Sequence, residues 1–184
     1  MELKNELIAL RAELKKLESI TNEQWLNSLN ARKRAELDFH NLDRDRKRVE
    51  SISKDDFERY YGNKKYYSTV QRSSAFTEDW IRRHVPGKIF LDYACGNGVN
   101  AIKAARFGAA LSIGIDISDE SIRNARADAA ALNLKNIVFI QADAENTMLP
   151  SESVDIVICS GMLHHLDLSF ALPELRRILK ARGR

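Results

Sequence analysis

Residues 89–98, with the sequence IFLDYACGNG, contain a short apolar run, one acidic residue and then a loop of small residues. This order is typical of a buried β-strand that ends in a loop, and a helical pattern follows near Val99–Phe107. Gly96 and Gly98 have no side chains, so the backbone can take a positive φ there and approach a ligand closely. The amino terminus of the following helix points at the same place. The stretch therefore predicts a strand, a loop and a helix that together bind a ligand.

The alternation of short apolar runs and helical patterns continues from Lys88 to the end of the chain. It is typical of βαβ units, so we expect an α/β fold with a parallel sheet. The expected strands are Ile89–Asp92, Leu111–Ile115, Ile137–Gln141 and Val154–Cys159. The expected helices are Val99–Phe107, Asp119–Leu132 and Leu172–Lys180.

An acidic residue stands at or just after the end of each of the first three strands, at the sheet edge where α/β proteins bind ligands. Asp116 stands 18 residues after Gly98, and an acid there can accept hydrogen bonds from both hydroxyls of a ribose. Asp92 precedes the glycine loop, where its charge suits a cationic amine and opposes a pyrophosphate. Asp143 is placed to pair with an adenine amino group.

Other interpretations of these residues stay open at this point. Gly96, Gly98 and Ala101 also satisfy the G-x-G-x-x-A pattern of dinucleotide-binding enzymes. Asp92 can instead cap the following helix, and Asp143 can be an ordinary turn residue. The alternatives are therefore a dinucleotide-dependent oxidoreductase and a non-catalytic module that serves cofactor binding or assembly.

Residues 88–183 carry five motifs in an order that is familiar from one family. The motifs are LDYACGNG, GIDIS, QADAENTMLP, SVDIVICSGMLHHL and ELRRILKARGR. In this order and spacing they resemble class I S-adenosylmethionine-dependent methyltransferases. The resemblance implies a Rossmann-like parallel sheet of strand order 3-2-1-4 flanked by helices. It also implies S-adenosylmethionine as the cofactor and methyl transfer to an acceptor as the reaction.

The resemblance also assigns roles to individual residues. It places the methionine part of the cofactor on the glycine loop and the ribose on Asp116, with Ile117 beside the adenine. It places the adenine edge at Asp143 and Ala144, and Ser160 where the fourth strand opens toward cofactor and acceptor. The implied cofactor-binding residues are Asp92, Ala94, Gly96, Gly98, Asp116, Ile117, Asp143, Ala144 and Ser160.

His164 and His165 are the candidate catalytic residues, just past the fourth strand. Histidine titrates near neutrality, which suits a general base, although a base is needed only if the acceptor must lose a proton. In enzymes of this family the amino-terminal region often covers the pocket, and Tyr67 is our candidate for a contact with the cofactor's carboxylate. We expect His40 to be exposed on a charged helix.

The end of the chain departs from the family pattern. The family normally continues with further strands, so we expect a domain truncated at its carboxyl end, with the later strands missing and Val154–Cys159 as an exposed sheet edge. We assign residues 1–53 to an amino-terminal helical extension and residues 54–184 to the cofactor-binding domain.

The amino-terminal extension contains a leucine repeat at spacings of four and three residues. Its members are Leu3, Leu7, Leu10, Leu14 and Leu17. This a/d pattern predicts one of two arrangements, a short parallel coiled-coil homodimer or a helix packed on its own domain.

The charge and composition of the chain limit the classes of partner that we expect. The net charge is +3, and residues 1–50 hold 11 Lys or Arg against 10 Asp or Glu, so we expect no nucleic acid partner. A small-molecule methyl acceptor fits this near-equal number of positive and negative charges better than a nucleic acid does. No long apolar run predicts a membrane span, which favours a cytoplasmic protein. The two cysteines have no zinc-binding spacing, so we expect no metal site.

Overall fold

Four strands form one parallel sheet in the computed structural model, which describes residues 2–61 and 71–184. The sheet order is β3-β2-β1-β4, which confirms the predicted α/β fold and the order 3-2-1-4. The strands are β1 (Ile89–Tyr93), β2 (Leu111–Asp116), β3 (Ile137–Gln141) and β4 (Ile156–Cys159).

Helices cover both faces of this sheet. They are α1 (Glu2–Glu18), α2 (Asn22–Ser28), α3 (Ala31–Arg44), α4 (Arg46–Ser51), α5 (Lys54–Tyr61), α6 (Gln71–His84), α7 (Val99–Arg106), α8 (Asp119–Ala131) and α9 (Leu168–Ile178). A short 3-10 turn follows β4 at Leu163–His165. No helix within residues 2–61 and 71–184 is long and apolar enough to cross a membrane.

Side chains of β1 and β2 are buried along their whole length, because helices lie on both sides of the sheet. Successive side chains point to opposite faces, so each strand contributes to two cores. Phe90 and Phe139 pack beneath α6, α7 and α8, whereas Leu91 and Ile113 belong to the core on the other face.

The leucine face of α1 lies in that second core. Leu10 is 4% exposed and Leu14 1% exposed, and both pack with residues of the sheet. The structure thus has the arrangement in which this helix packs on its own domain. A dimer through the same leucines would require them to leave the core, and the homodimer stays a prediction. The boundary between residues 53 and 54 likewise stays a prediction.

Three boundaries near the end of the chain differ from the predicted ones, including the end of α9 at Ile178 instead of Lys180. Helix α9 begins at Leu168 instead of Leu172, because the Asp167 side chain caps it by accepting a hydrogen bond from the Ser169 amide. The last strand begins at Ile156, two residues later than predicted.

The edge of β4 is partly paired. The Val157 amide donates a 2.9 Å hydrogen bond to the Arg184 carbonyl, and the Arg184 amide donates one of 3.0 Å to the Asp155 carbonyl. The final residues therefore lie along part of this edge, which we expected to be exposed throughout. The edge is nevertheless only half-buried at Val157 and Cys159.

Candidate functional site

A cavity of about 310 Å³ lies at the carboxyl ends of the strands, between the sheet and helix α3. This is the edge where ligands bind in open α/β sheets. Most of the residues assigned from the sequence line it. They are Ala94, Gly96, Asp116, Ile117, Asp143, Ala144, Ser160, His164 and His165. Tyr67 lies outside the described residues.

Asp92 is absent from the cavity lining and lies behind it. Its side chain is 2% exposed, and its carboxylate accepts a 3.0 Å hydrogen bond from the Ala101 amide in the first turn of α7. Asn100 also donates to it. Burial raises the pKa of Asp92 to about 7. The structure thus gives Asp92 the helix-capping position that the sequence left open.

Gly98 also supports the site from behind. It has a φ of +74°, and a Cβ built there would lie 2.4 Å from the ring of Phe139. A side chain is therefore excluded by packing as well as by backbone conformation.

Ala94 has a φ of +54°, a left-handed conformation that costs a non-glycine residue about 1–2 kcal/mol. The loop between β1 and α7 is therefore a tight left-handed bend.

Asp116 connects this bend to the second strand. Its carboxylate accepts hydrogen bonds from the Gly96 amide at 2.8 Å and from the Ser118 amide at 2.9 Å. Burial raises the pKa of Asp116, although these two backbone donors and the nearby His40 and Arg44 work to lower it. The carboxylate is held rigidly at the cavity wall, with lone pairs left for hydroxyl donors.

The end of β3 meets two basic residues of α3. The Lys33 ammonium pairs with Asp143 and lies 3.0 Å from the Glu145 carboxylate, while the Arg32 guanidinium lies 2.5 Å from Glu145. Burial works to lower the pKa of Lys33, but its bonds to the two acids outweigh this and raise it. The Ala144 carbonyl accepts a hydrogen bond from the buried Tyr93 hydroxyl. Neither Lys33 nor Glu145 was predicted from the sequence.

Helix α3 forms the roof of the cavity. Its cavity-lining residues include Lys33, Glu36, His40 and Arg44, which recur every three or four positions and so share one helix face. Asn41 anchors the helix because its amide donates to Asp119 at 2.7 Å and its carbonyl oxygen accepts from Ser118 at 2.6 Å. The recurrence of polar residues every three or four positions is the sequence signal that could have identified this helix as the roof.

His40 is half-buried in this roof, contrary to the expectation of an exposed side chain. Its Nε2 lies 3.5 Å from Oε2 of Glu36, and the same oxygen lies 3.1 Å from Nδ1 of His165. Burial lowers the pKa of His40, despite the nearby charges of Asp116 and Glu36. His164 is exposed and its ring lies against that of His165.

Arg44 lies over the glycine loop. Its Nη2 is 3.7 Å from the position that a Cβ on Gly96 would take. Its Nε is buried and has no hydrogen-bond partner among the described residues, although the Asp43 carboxylate lies 3.4 Å away. The cavity therefore presents one incompletely bonded guanidinium at the bend.

Comparison with known proteins identifies the family. A family model described as a methyltransferase domain matches residues 90–183. Ribosomal protein L11 methyltransferase of Ralstonia pickettii is 30% identical over 95 residues, which cover 51% of this chain and 30% of that protein. Ubiquinone biosynthesis O-methyltransferase of Neisseria meningitidis is 33% identical over 103 residues, which cover 54% of this chain and 43% of that protein.

A solved structure gives the same result. The YcgJ protein of Bacillus subtilis matches with a TM-score of 0.55 and 26% identity, over 59% of this chain and 48% of that one. The chain thus spans less than half the length of each of these relatives. Because the family model covers just over half of the chain, the chain belongs to the methyltransferase domain family, among the class I S-adenosylmethionine-dependent methyltransferases.

Proposed function

We propose that this chain binds S-adenosylmethionine in the cavity and forms the cofactor-binding part of a methyltransferase for small-molecule acceptors. One observation carries the proposal. Asp116 and Asp143, at the ends of adjacent strands, line a single cavity together with the bend at Gly96. These residues match three parts of this cofactor. Asp116 would accept hydrogen bonds from the ribose hydroxyls, Asp143 would bind the adenine edge, and the backbone at Gly96 would approach the methionine part.

The residues present fit this cofactor. Asp116 is oriented by two backbone donors, so it can accept hydroxyl hydrogen bonds without first rearranging. Gly96 leaves room for close approach. Lys33 holds Asp143, so an adenine amino group at that carboxylate would share it with the ammonium or displace it. S-adenosylmethionine supplies a methyl group on a positively charged sulfur, a good leaving group.

Arg44 is our candidate for the cofactor's carboxylate. Its guanidinium lies over the bend that would hold the methionine part, and its Nε makes no hydrogen bond with any described residue although the Asp43 carboxylate lies 3.4 Å away. A carboxylate is the anion that best matches the parallel N–H donors of a guanidinium. Asp92, which the resemblance assigned to the cofactor, does not line the cavity, so we propose that it supports the same loop through α7.

A small-molecule acceptor is favoured by the roof. Helix α3 covers the cavity, and its lining side chains Glu36, His40 and Arg44 are half-buried, so a bulky protein surface has poor access. The relatives include both a ribosomal protein methyltransferase and a ubiquinone biosynthesis enzyme. His164 and His165 remain candidate bases for an acceptor that must lose a proton, because both line the cavity.

Calorimetry tests the proposal against its two alternatives. We expect S-adenosylhomocysteine to bind with one site per chain and NAD to give no heat of binding. Binding of NAD in place of S-adenosylhomocysteine would support an oxidoreductase and overturn the assignment. Transfer of a labelled methyl group to small-molecule acceptors distinguishes the enzyme from a non-catalytic module, which would bind the cofactor and label nothing.

A further inference from the structure

Glu36, His40 and His165 bring three metal-ligand atoms together where the roof of the cavity meets the turn after β4. Glu36 and His40 stand one turn apart on α3, and His165 ends the turn after β4. The three ligand atoms all lie within 4.8 Å of one another. Two separations are shorter, 3.1 Å from His165 to the Glu36 oxygen and 3.5 Å from His40 to it.

Two of these separations, from the Glu36 oxygen to each imidazole nitrogen, are close to those of atoms that share one metal ion. Ligands bonded at 2.0–2.2 Å in a tetrahedron stand about 3.3–3.6 Å apart. The two imidazole nitrogens lie within 4.8 Å of each other, so an ion needs them to approach by no more than about 1.5 Å. Two ligands at i and i+4 on a helix form a chelate that the helix itself holds in place.

The ligand types indicate the class of ion. Two imidazole nitrogens and one carboxylate oxygen suit borderline divalent ions such as Zn²⁺, and three protein ligands leave one position open. The side chains of Glu36, His40 and His165 are 29%, 22% and 31% exposed, so an ion can reach them from the cavity. Asp116 adds a favourable negative charge near His40, and Arg44 opposes it.

We propose that Glu36, His40 and His165 form a binding site for one divalent transition-metal ion of the Zn²⁺ class. The site goes beyond the proposed cofactor binding and does not depend on it. An ion there stands beside the cavity with a free position, where it can bind the oxygen of an acceptor hydroxyl and promote loss of its proton. His165 then serves as a ligand in place of a base.

Zn²⁺ titration of the metal-stripped, untagged protein tests the site without any cofactor. We expect one ion per chain by calorimetry, a Co²⁺ derivative with tetrahedral visible absorption, and a higher Tm with Zn²⁺. The near-isosteric substitutions His40→Gln and His165→Gln should each weaken Zn²⁺ binding at least tenfold. His164→Gln is the matched control, because His164 is adjacent and also lines the cavity but is outside the cluster.

The variants are compared only after their circular dichroism spectra match the wild type. If a His165→Gln protein does not fold, the Zn²⁺ affinity of Glu36→Gln, a substitution on α3, is compared with that of His164→Gln instead. Absence of stoichiometric Zn²⁺ binding, or equal affinities in His164→Gln and the cluster variants, would overturn the site. Either result leaves binding of S-adenosylhomocysteine to be judged on its own measurement.

Discussion

Single residues behind the cavity hold the loop between β1 and α7 in shape. Gly98 leaves space that the ring of Phe139 fills, and Asp92 satisfies amide groups at the start of α7. Neither residue lines the cavity. Substitutions there should act first on stability, whereas substitutions of lining residues should act first on affinity.

Gly98→Ala should destabilise the fold by about 2–4 kcal/mol, because the new methyl group meets Phe139 and the φ of +74° disfavours alanine. Gly87→Ala is the control, with a similar φ of +70° and no atom within 4 Å of the added Cβ. It should cost about 1–2 kcal/mol. Urea unfolding measures both, and equal losses would contradict the packing role of Phe139.

The stability of the Asp92→Asn variant, relative to that of the wild type, should increase as pH rises. The pKa of Asp92 is raised by burial to about 7 in the folded state, so its folded form keeps a proton that the unfolded chain releases. The stability contributed by the protonated acid is complete below about pH 4 and falls until about pH 7. The stability of Asp92→Asn relative to wild type should therefore increase by about 1–2 kcal/mol from pH 5.5 to pH 8. A pH-independent difference would contradict this.

Arg44→Gln should weaken binding of S-adenosylhomocysteine about 10–100-fold, the range expected for one charge-assisted hydrogen bond of about 1.5–3 kcal/mol. Arg46→Gln is the control, because Arg46 pairs with Asp128 on the surface at 2.7 Å. Calorimetry on both variants decides the role. An unchanged affinity in Arg44→Gln would remove Arg44 from the cofactor site.

At the scale of elements, α3 determines what the cavity can hold. The strands and the glycine loop supply one wall, and the roof supplies Lys33, Glu36, His40 and Arg44. The roof is attached to α8 through hydrogen bonds, including those of Asn41 and one from the Asn124 amide to the Arg44 carbonyl. Its buried Leu37 also packs in a cluster with Trp25, Leu29 and Ile117. Its position therefore depends on a few specific hydrogen bonds together with this apolar contact.

Asn41→Ala should loosen this attachment and lower stability by about 1–3 kcal/mol, since it removes the acceptor of the Ser118 hydroxyl and the amide that donates to Asp119. Affinity for S-adenosylhomocysteine should fall as well. Asn27→Ala, at an exposed position on α2, should change stability by less than about 0.5 kcal/mol. Equal effects of the two substitutions on affinity would show that α3 does not position the site.

At the scale of the whole molecule, the amino-terminal helix completes the fold. Helix α1 covers the sheet face opposite α7 and α8, and its leucines pack into the same core as Leu91 and Ile113. The extension is therefore a structural layer of the α/β unit, and removing it would expose apolar side chains of the sheet.

Leu14→Ala should destabilise the protein by about 2–5 kcal/mol, because Leu14 is 1% exposed and its truncation leaves a cavity. Ile8→Ala, on the same helix but 60% exposed, should change stability by less than about 0.5 kcal/mol. Urea unfolding at two protein concentrations provides the measurement. A loss in Leu14→Ala that depends on concentration would indicate a dimer seam in place of an intramolecular core.

Local patterns in the sequence determined the α/β class, the positions of the four strands and the acids at the ends of the first three. This was possible because strand periodicity, small-residue loops and the family motifs lie within short stretches of chain. These stretches also predicted Gly96, Asp116 and Asp143 as neighbours, since parallel strands end at one edge of the sheet.

Only the tertiary structure decided which of the acids reach the cavity and what closes it. Asp92 lies one residue before the end of β1, and its carboxylate bonds the first turn of α7 behind the cavity, whereas Asp116 is the last residue of β2 and lies at the cavity wall. The roof and the meeting of His40 with His165 depend on packing between segments far apart in the chain. No local pattern encodes such contacts, because they form only when α3 folds back over the ends of the strands.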